Sequence, residues 1–197
     1  ITCAAPFVVL QANENLPFNN LVFQWSTDDG HISNDPNNAT TECDETGKYY
    51  LVVTDTLNGC ISIDSLEITE NRQAPSLFVA PPFPLTCAMT AVNLKATATG
   101  STLMPPLFQW QSGNGHFVSG NTTDAPLVDA PGNYSLTVTD PVNGCTKTGG
   151  AIVFQNITPP PIQVLPANLI TCSTPEQTLQ GQNQAVSGNF TYIWSAY

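Results

Sequence analysis

Positive charge is what this sequence has least of: four Lys and Arg stand against fifteen Asp and Glu in 197 residues, a formal net charge of −11. A chain so poor in cations has no basic stripe to hold a phosphate backbone or an anionic headgroup, which argues against nucleic acid and membrane surfaces as partners. Charge of either sign is scarce, at 10%, against about a quarter in an ordinary globular chain. Thr, Ser, Asn, Gln, Gly and Pro fill the polar positions, and the thinly spread acidity reads as a solubility device. No run approaches the ~20 apolar residues of a membrane-spanning helix, which argues against membrane insertion. No basic region followed by an apolar core opens the sequence, so a secretory signal is expected to have been removed or to lie upstream in a larger protein. Also missing are Gly-x-Ser-x-Gly, a phosphate loop, a dinucleotide fingerprint and any acid and base pair arranged for catalysis. The expectation is a non-enzymatic protein without a cofactor.

What the sequence does have is self-similarity. Ile1-Thr2-Cys3 returns as Leu85-Thr86-Cys87 and as Ile170-Thr171-Cys172, at offsets of 84 and 85. Phe23-Gln24-Trp25 returns as Phe108-Gln109-Trp110 and, more loosely, as Tyr192-Ile193-Trp194. Thr54-Asp55 with Asn58-Gly59-Cys60 returns as Thr139-Asp140 with Asn143-Gly144-Cys145, at an offset of 85. Landmarks sharing one spacing are the mark of a repeat architecture. Within a repeat the apolar residues have period 2, as in Val92, Leu94, Ala96 and Ala98 or Tyr134, Leu136 and Val138, which predicts strands; nothing reads as a helix. Ala74-Pro75 and Pro159-Pro160-Pro161 break the pattern where joints are needed, and fixed φ angles stiffen such joints into an extended rod. The predicted organisation is a first repeat over 1–74, a second over 75–159 and a partial third over 160–197.

The two later repeats open with an apolar strand, Leu77-Phe78-Val79 or Ile162-Gln163-Val164-Leu165, that the first lacks, and the third stops soon after Trp194. Two expectations follow: the sequence is a window on a longer repeat chain, or the missing strands come from a neighbouring subunit by strand addition. Either way an exposed half sandwich needs cover.

A Trp on the third strand followed by Asp129, Gly132, Tyr134 and Leu136, repeated as Asp44, Gly47, Tyr49 and Leu51, resembles the strand-C Trp and tyrosine corner of immunoglobulin-like sandwiches. The whole succession of Leu-Thr-Cys, Gln-Trp, Gly-x-Tyr-x-Leu-x-Val-Thr-Asp and Asn-Gly-Cys resembles the Ig-like and PKD-like repeats of large Bacteroidetes-type surface proteins. The resemblance implies an all-β fold of tandem immunoglobulin-like sandwiches of about 85 residues, in a secreted or surface-bound filament, adhesin or matrix protein.

Six Cys without CxxC or Cys/His pairs fit disulfides better than zinc, and hence an oxidising, extracellular setting. By analogy of position Cys3 is paired with Cys60 and Cys87 with Cys145, each bond closing a loop of some sixty residues and contributing roughly 4 kcal/mol. Cys172 then awaits a partner beyond Tyr197. Cys43, whose place in the second repeat is taken by Val128, has three open readings: a buried free thiol, a competitor for Cys3, or a cross-link to another subunit.

Other candidate chemistry has bland explanations. His31 and His116 each follow a Gly and lack a second His or a nucleophile, so a turn after the Trp strand is the expected place. Asp28, Asp29 and Asp55 do not match the spacing of a calcium loop; Asp55 and Asp140 precede Asn-Gly turns, where a carboxylate accepts backbone N–H bonds. Modification is the stronger possibility. Asn38, Asn121, Asn133, Asn156 and Asn189 begin Asn-x-Ser/Thr motifs, and the Bacteroidetes-type resemblance implies O-glycans at Asp-Ser/Thr followed by an apolar residue, which Thr56 and Ser65 fit. The leading expectation is a structural filament or stalk that self-associates or continues as a longer repeat chain. A carbohydrate- or protein-binding module using Phe18, Phe83 or Phe117 is the alternative, and a spacer between catalytic modules a third.

Overall fold

The computed structural model describes residues 1–12, 20–101, 103–184 and 188–195; Phe18 falls outside them. Among these residues every regular element is a strand. The chain forms two compact units, Ile1–Gln155 and Asn156–Tyr197.

The first unit contains two immunoglobulin-like sandwiches. In the first, β1 (Val8–Gln11) pairs with β3 (Thr40–Cys43), and β2 (Leu21–Thr27), β4 (Gly47–Asp55) and β5 (Ile61–Ile68) form the facing antiparallel sheet in the order β2-β4-β5. The second sandwich begins with β6 (Ser76–Ala80), β7 (Leu85–Thr86), β8 (Val92–Asn93) and β9 (Lys95–Thr99). It continues through β10 (Leu107–Ser112), β11 (Phe117–Ser119), β12 (Leu127–Val128), β13 (Gly132–Thr139), β14 (Thr146–Val153) and β15 (Gln155–Asn156). Its sheets run β10-β13-β14 and β11-β12-β8, with β6 paired to β9.

The period-2 pattern puts one side of each strand inward. Val92, Leu94 and Ala96, then Tyr134, Leu136 and Val138, are buried around Trp110 with Leu85, Val128 and Val153. Among the described residues the core of the first sandwich is thinner: Leu10, Trp25, Cys43 and Tyr49 form its buried cluster, with Val8, Ile32, Leu51 and Ile68 packed on them. Each Trp has its indole N–H satisfied by a carbonyl across the sandwich, Asn38 O for Trp25 and Thr123 O for Trp110, both at 3.0 Å. A large aromatic is therefore buried without an orphan donor.

The tyrosine corner is present twice. The Tyr49 hydroxyl donates to Glu45 O at 2.7 Å and accepts from the His31 N–H at 3.1 Å; the Tyr134 hydroxyl donates to Ala130 O at 2.7 Å and accepts from the His116 N–H at 2.9 Å. Gly30 and Gly115 are required here, because a Cβ at either would strike the phenol. The carboxylate of Asp29 and the side-chain amide of Asn114 occupy matching places, each accepting the backbone N–H that opens the next strand, from Lys48 and Asn133.

The sandwiches differ on one face. In the second, β6 lies against β14 so closely that a Cβ at Gly149 would come within 2.9 Å of Leu77 Cδ2. In the first, the corresponding strand β5 is open: Ile61 is 63% and Ile63 71% exposed. A groove of about 600 Å³ runs there between Trp25, Leu51, Val53, Cys60, Ile61 and Leu66. Pro75 is buried, so the first of the two proline joints is packed within the compact unit.

The second unit contains β16 (Ile162–Val164) paired with β17 (Gly181–Asn183). Ile162, Val164, Tyr192 and Trp194 are all exposed. Trp194 thus shares the sequence landmark of Trp25 and Trp110 but not their burial.

Candidate functional site at the joint between the two sandwiches

The Asn-Gly-Cys turns are built from their own hydrogen bonds. In Asp140–Cys145 the Asp140 carboxylate accepts the Val142 N–H at 2.9 Å, Asp140 O accepts the Gly144 N–H at 2.8 Å, Cys145 O accepts the Asp140 N–H at 2.9 Å, and Asn143 Oδ1 accepts the Cys145 N–H at 2.8 Å. Asp55–Cys60 repeats the set at 2.8, 2.7, 2.9 and 2.8 Å. The central glycines stand at φ +71° and +72°, the left-handed region that a side chain disfavours. The carboxylates of Asp55 and Asp140 are thus occupied by backbone N–H groups, the turn role expected of them.

The Thr-Cys segments are also self-organised. Thr2 N–H donates to Ala5 O at 2.9 Å while Thr2 Oγ1 accepts the Ala5 N–H at 3.0 Å; Thr86 with Met89, and Thr171 with Thr174, make the same pair of bonds.

One segment and one turn are joined. The disulfide links Cys3 to Cys145 across 142 residues, with Cα atoms 5.0 Å apart. Around it Asn143 O accepts the Ala4 N–H at 3.0 Å, and the buried Asn143 amide donates to Asn71 Oδ1 at 3.0 Å and Gln73 O at 2.9 Å. A buried amide satisfied from both sandwiches fixes their register as well as the bond does.

This corrects the expected pairs Cys3–Cys60 and Cys87–Cys145, and the reason is strand length. The Thr-Cys segment is tied to the far end of its own sandwich, where Asn71 N–H donates to Ile1 O at 2.8 Å and Leu85 N–H to Phe154 O at 2.8 Å. The Asn-Gly-Cys turn lies at the near end of the same last strand, with the eight residues of β5 or β14 between. At about 3.3 Å per residue that separates them by roughly 26 Å, whereas a disulfide needs Cα atoms within about 7 Å. The turn of the following sandwich is what comes within reach. Cys60, Cys87 and Cys172 are exposed. Cys43 is buried and unpaired, its thiol directed at Val8 O at 3.6 Å, and burial pushes its pKa up; it fills the core position that Val128 fills in the second sandwich.

The two histidines sit where the turn reading expects them, with a partner that reading missed. His31 Nδ1 lies 2.6 Å from Asp44 Oδ1, and His116 Nδ1 2.6 Å from Asp129 Oδ1. Both pairs are exposed and span 13 residues, a spacing visible in the sequence. The hydrogen bond to Asp44, and then its charge, raise the His31 pKa above the ordinary 6.5. The sign follows from linkage: the pair's stabilisation is fully present below about pH 6.5, where the unfolded chain is also protonated, and is lost as pH rises through the higher folded value. NMR titration is expected to place His31 above 6.5 and Asp44→Asn to return it toward 6.5; a wild-type value at or below 6.5 would show that the pair does not form in solution.

Among the described residues no group of three or more His, Cys, Asp or Glu is placed to hold a metal ion. The side chains of Asn38, Asn121, Asn133, Asn156, Asn189, Thr56 and Ser65 belong to exposed residues, and the Thr56 hydroxyl donates to Asn20 O at 2.9 Å. Phe83 is 76% exposed, whereas Phe117 packs edge-on to Tyr134 with ring centres 5.1 Å apart and belongs to the core.

No family model matches the chain, and no curated protein matches it. Among solved structures it is similar to the three N-terminal domains of the Highly Immunogenic Outer Capsid protein of bacteriophage RB49, at TM-score 0.42 and 15% identity over 92% of this chain. It is also similar to extracellular domains 3–5 of Drosophila OTK, at 0.37 and 16% over 77%, and to the N-terminal four Ig domains of a Dscam1 isoform, at 0.33 and 15% over 76%. The chain spans 65%, 57% and 41% of the length of those structures.

Proposed function

We propose that the chain is a non-enzymatic structural component of an extracellular filament or surface stalk, glycosylated and built from repeated immunoglobulin-like sandwiches. The observation that carries this reading is the inter-sandwich disulfide. Cys3–Cys145, backed by the buried Asn143 amide, fastens one sandwich to the next, so tension passed along the chain meets a covalent bond at the joint. The bond also argues for an oxidising compartment outside the cytosol. An acidic, cation-poor surface keeps such rods apart laterally, and glycans on the exposed Asn, Thr and Ser residues would add hydration. The alternative, a carbohydrate- or protein-binding adhesin module, has the exposed Phe83 ring in its favour.

Electron microscopy of the natively purified protein tests the choice. Regular filaments with a sandwich repeat and additional density at the named Asn, Thr or Ser residues are the expected result. Discrete monomers that bind glycans on an array would overturn the filament and leave the adhesin.

A further inference from the structure

Around their Trp residues the two sandwiches differ by one cover and one charge. In the second, Leu77 and Val79 of β6 pack on the core, and Leu136 and Val138 are fully buried. In the first, the counterparts Leu51 and Val53 are half-buried and, with Trp25 and Leu66, floor the groove of about 600 Å³. The strand register locates the charge. Trp110 is paired with Leu136 and Leu136 with Gly149, which has no side chain and leaves room for Leu77. Trp25 is paired in the same way with Leu51, and Leu51 with Asp64. Cross-strand partners share a face of the sheet, so Asp64 lines the groove at the place where β6 rests on a glycine. Its Oδ1 accepts the Ser65 N–H at 2.8 Å, and among the described residues it forms no ion pair.

The charge selects the occupant. A wholly apolar strand like β6 would strip water from the Asp64 carboxylate and return no partner for it. An extended segment with apolar residues at alternate positions fits the floor, and a Lys or Arg where β6 has Leu77 meets the carboxylate with a charge-assisted hydrogen bond. A second copy does not offer such a strand. Of the four cations in the sequence, Lys48, Lys95 and Lys147 stand in β4, β9 and β14, which are already paired within their own sheets, and Arg72 is engaged with Glu70.

We propose that the groove beside β5 is a docking site for an extended segment of a different protein, apolar at alternate positions and carrying one basic residue opposite Asp64. The main chain and apolar side chains of that segment supply affinity, and the basic residue supplies the choice of partner. The site does not depend on the filament reading: it gives the chain a point of attachment whether or not it polymerises.

Two synthetic peptides test it: residues 74–82, which contain β6, and the same peptide with Leu77→Lys. Each is titrated into the whole chain and followed by NMR at the Trp25 indole N–H and the Leu51 and Leu66 methyls. The Lys peptide is expected to bind about tenfold more tightly than the Leu peptide, an advantage that shrinks with added salt. Asp64→Asn should abolish the difference, and Asp64→Gly, which reproduces the second sandwich, should reverse it. A Leu peptide that binds the unaltered chain as well as the Lys peptide, or a Lys preference that survives Asp64→Asn, overturns the basic partner. Failure of both peptides to move these signals, or shifts confined to the second sandwich, overturns the docking site. Self-association of the chain that closes the groove to both peptides would put a second copy there and overturn the proposal.

Discussion

Cys3→Ser is expected to lower the stability of the first compact unit by about 5 kcal/mol, and to split its single unfolding transition in two. The magnitude comes from loop-closure entropy: the bond closes a loop of 142 residues, and the unfolded chain regains that freedom when the bond is gone. The split comes from the unequal cores. Among the described residues the first sandwich clusters Leu10, Trp25, Cys43 and Tyr49 and leaves Ile61 and Ile63 in solvent, whereas the second closes nine buried residues around Trp110. Held together, the weaker sandwich is stabilised by the stronger; released, it should melt first. Denaturant titration followed by circular dichroism and by fluorescence of Trp25 and Trp110 in single-Trp variants reads both effects. Cys145→Ser should reproduce them, since it opens the same bond, and Cys60→Ser should leave the midpoint within a few tenths of a kcal/mol because Cys60 is exposed and unbonded in this chain. Coincident transitions at an unchanged midpoint in Cys3→Ser would mean that the buried Asn143 contacts alone fix the joint.

The strands and their inward faces were legible because they depend on local chemistry. Alternation in Val92, Leu94 and Ala96 needs only the pleat to become a buried face, and the Gly, Tyr and Trp landmarks carry the tyrosine corner with them. The disulfide pairing was not legible by analogy of position, because it is decided by distance along a strand. A Thr-Cys segment and an Asn-Gly-Cys turn of one repeat look like natural partners until the eight residues of β5 or β14 are counted out between them. That count was available, since the strand after each turn shows in the sequence; what the sequence did not show is that the first two Thr-Cys segments are tied to the ends of their own sandwiches by Asn71 and Phe154. The His–Asp pairs were missed for a different reason. Each His was weighed for a second His or a nucleophile, while the informative signal was an Asp 13 residues on in both sandwiches.

Trp110→Ala is expected to destabilise the second sandwich by about 3–5 kcal/mol, enough to leave it marginal. Trp110 is 1% exposed and stands among Leu94, Tyr134, Leu136 and Val138, so truncation opens a cavity that strands on both sheets bound and cannot readily collapse. It also removes the donor to Thr123 O, leaving a carbonyl without its partner for a further contribution of about 1 kcal/mol. Trp25→Ala, at the corresponding place in the first sandwich, should cost less: among the described residues its buried cluster is smaller, and a groove of about 600 Å³ lies beside it. The comparison separates burial from the landmark itself. If the two substitutions cost the same, the conserved geometry of the indole hydrogen bond, at 3.0 Å in both sandwiches, outweighs the packing around it. If Trp110→Ala costs at least 1 kcal/mol more, the closed face that β6 provides in the second sandwich is the difference, and covering the exposed β5 face of the first with a partner's strand should raise the cost of Trp25→Ala toward the same value.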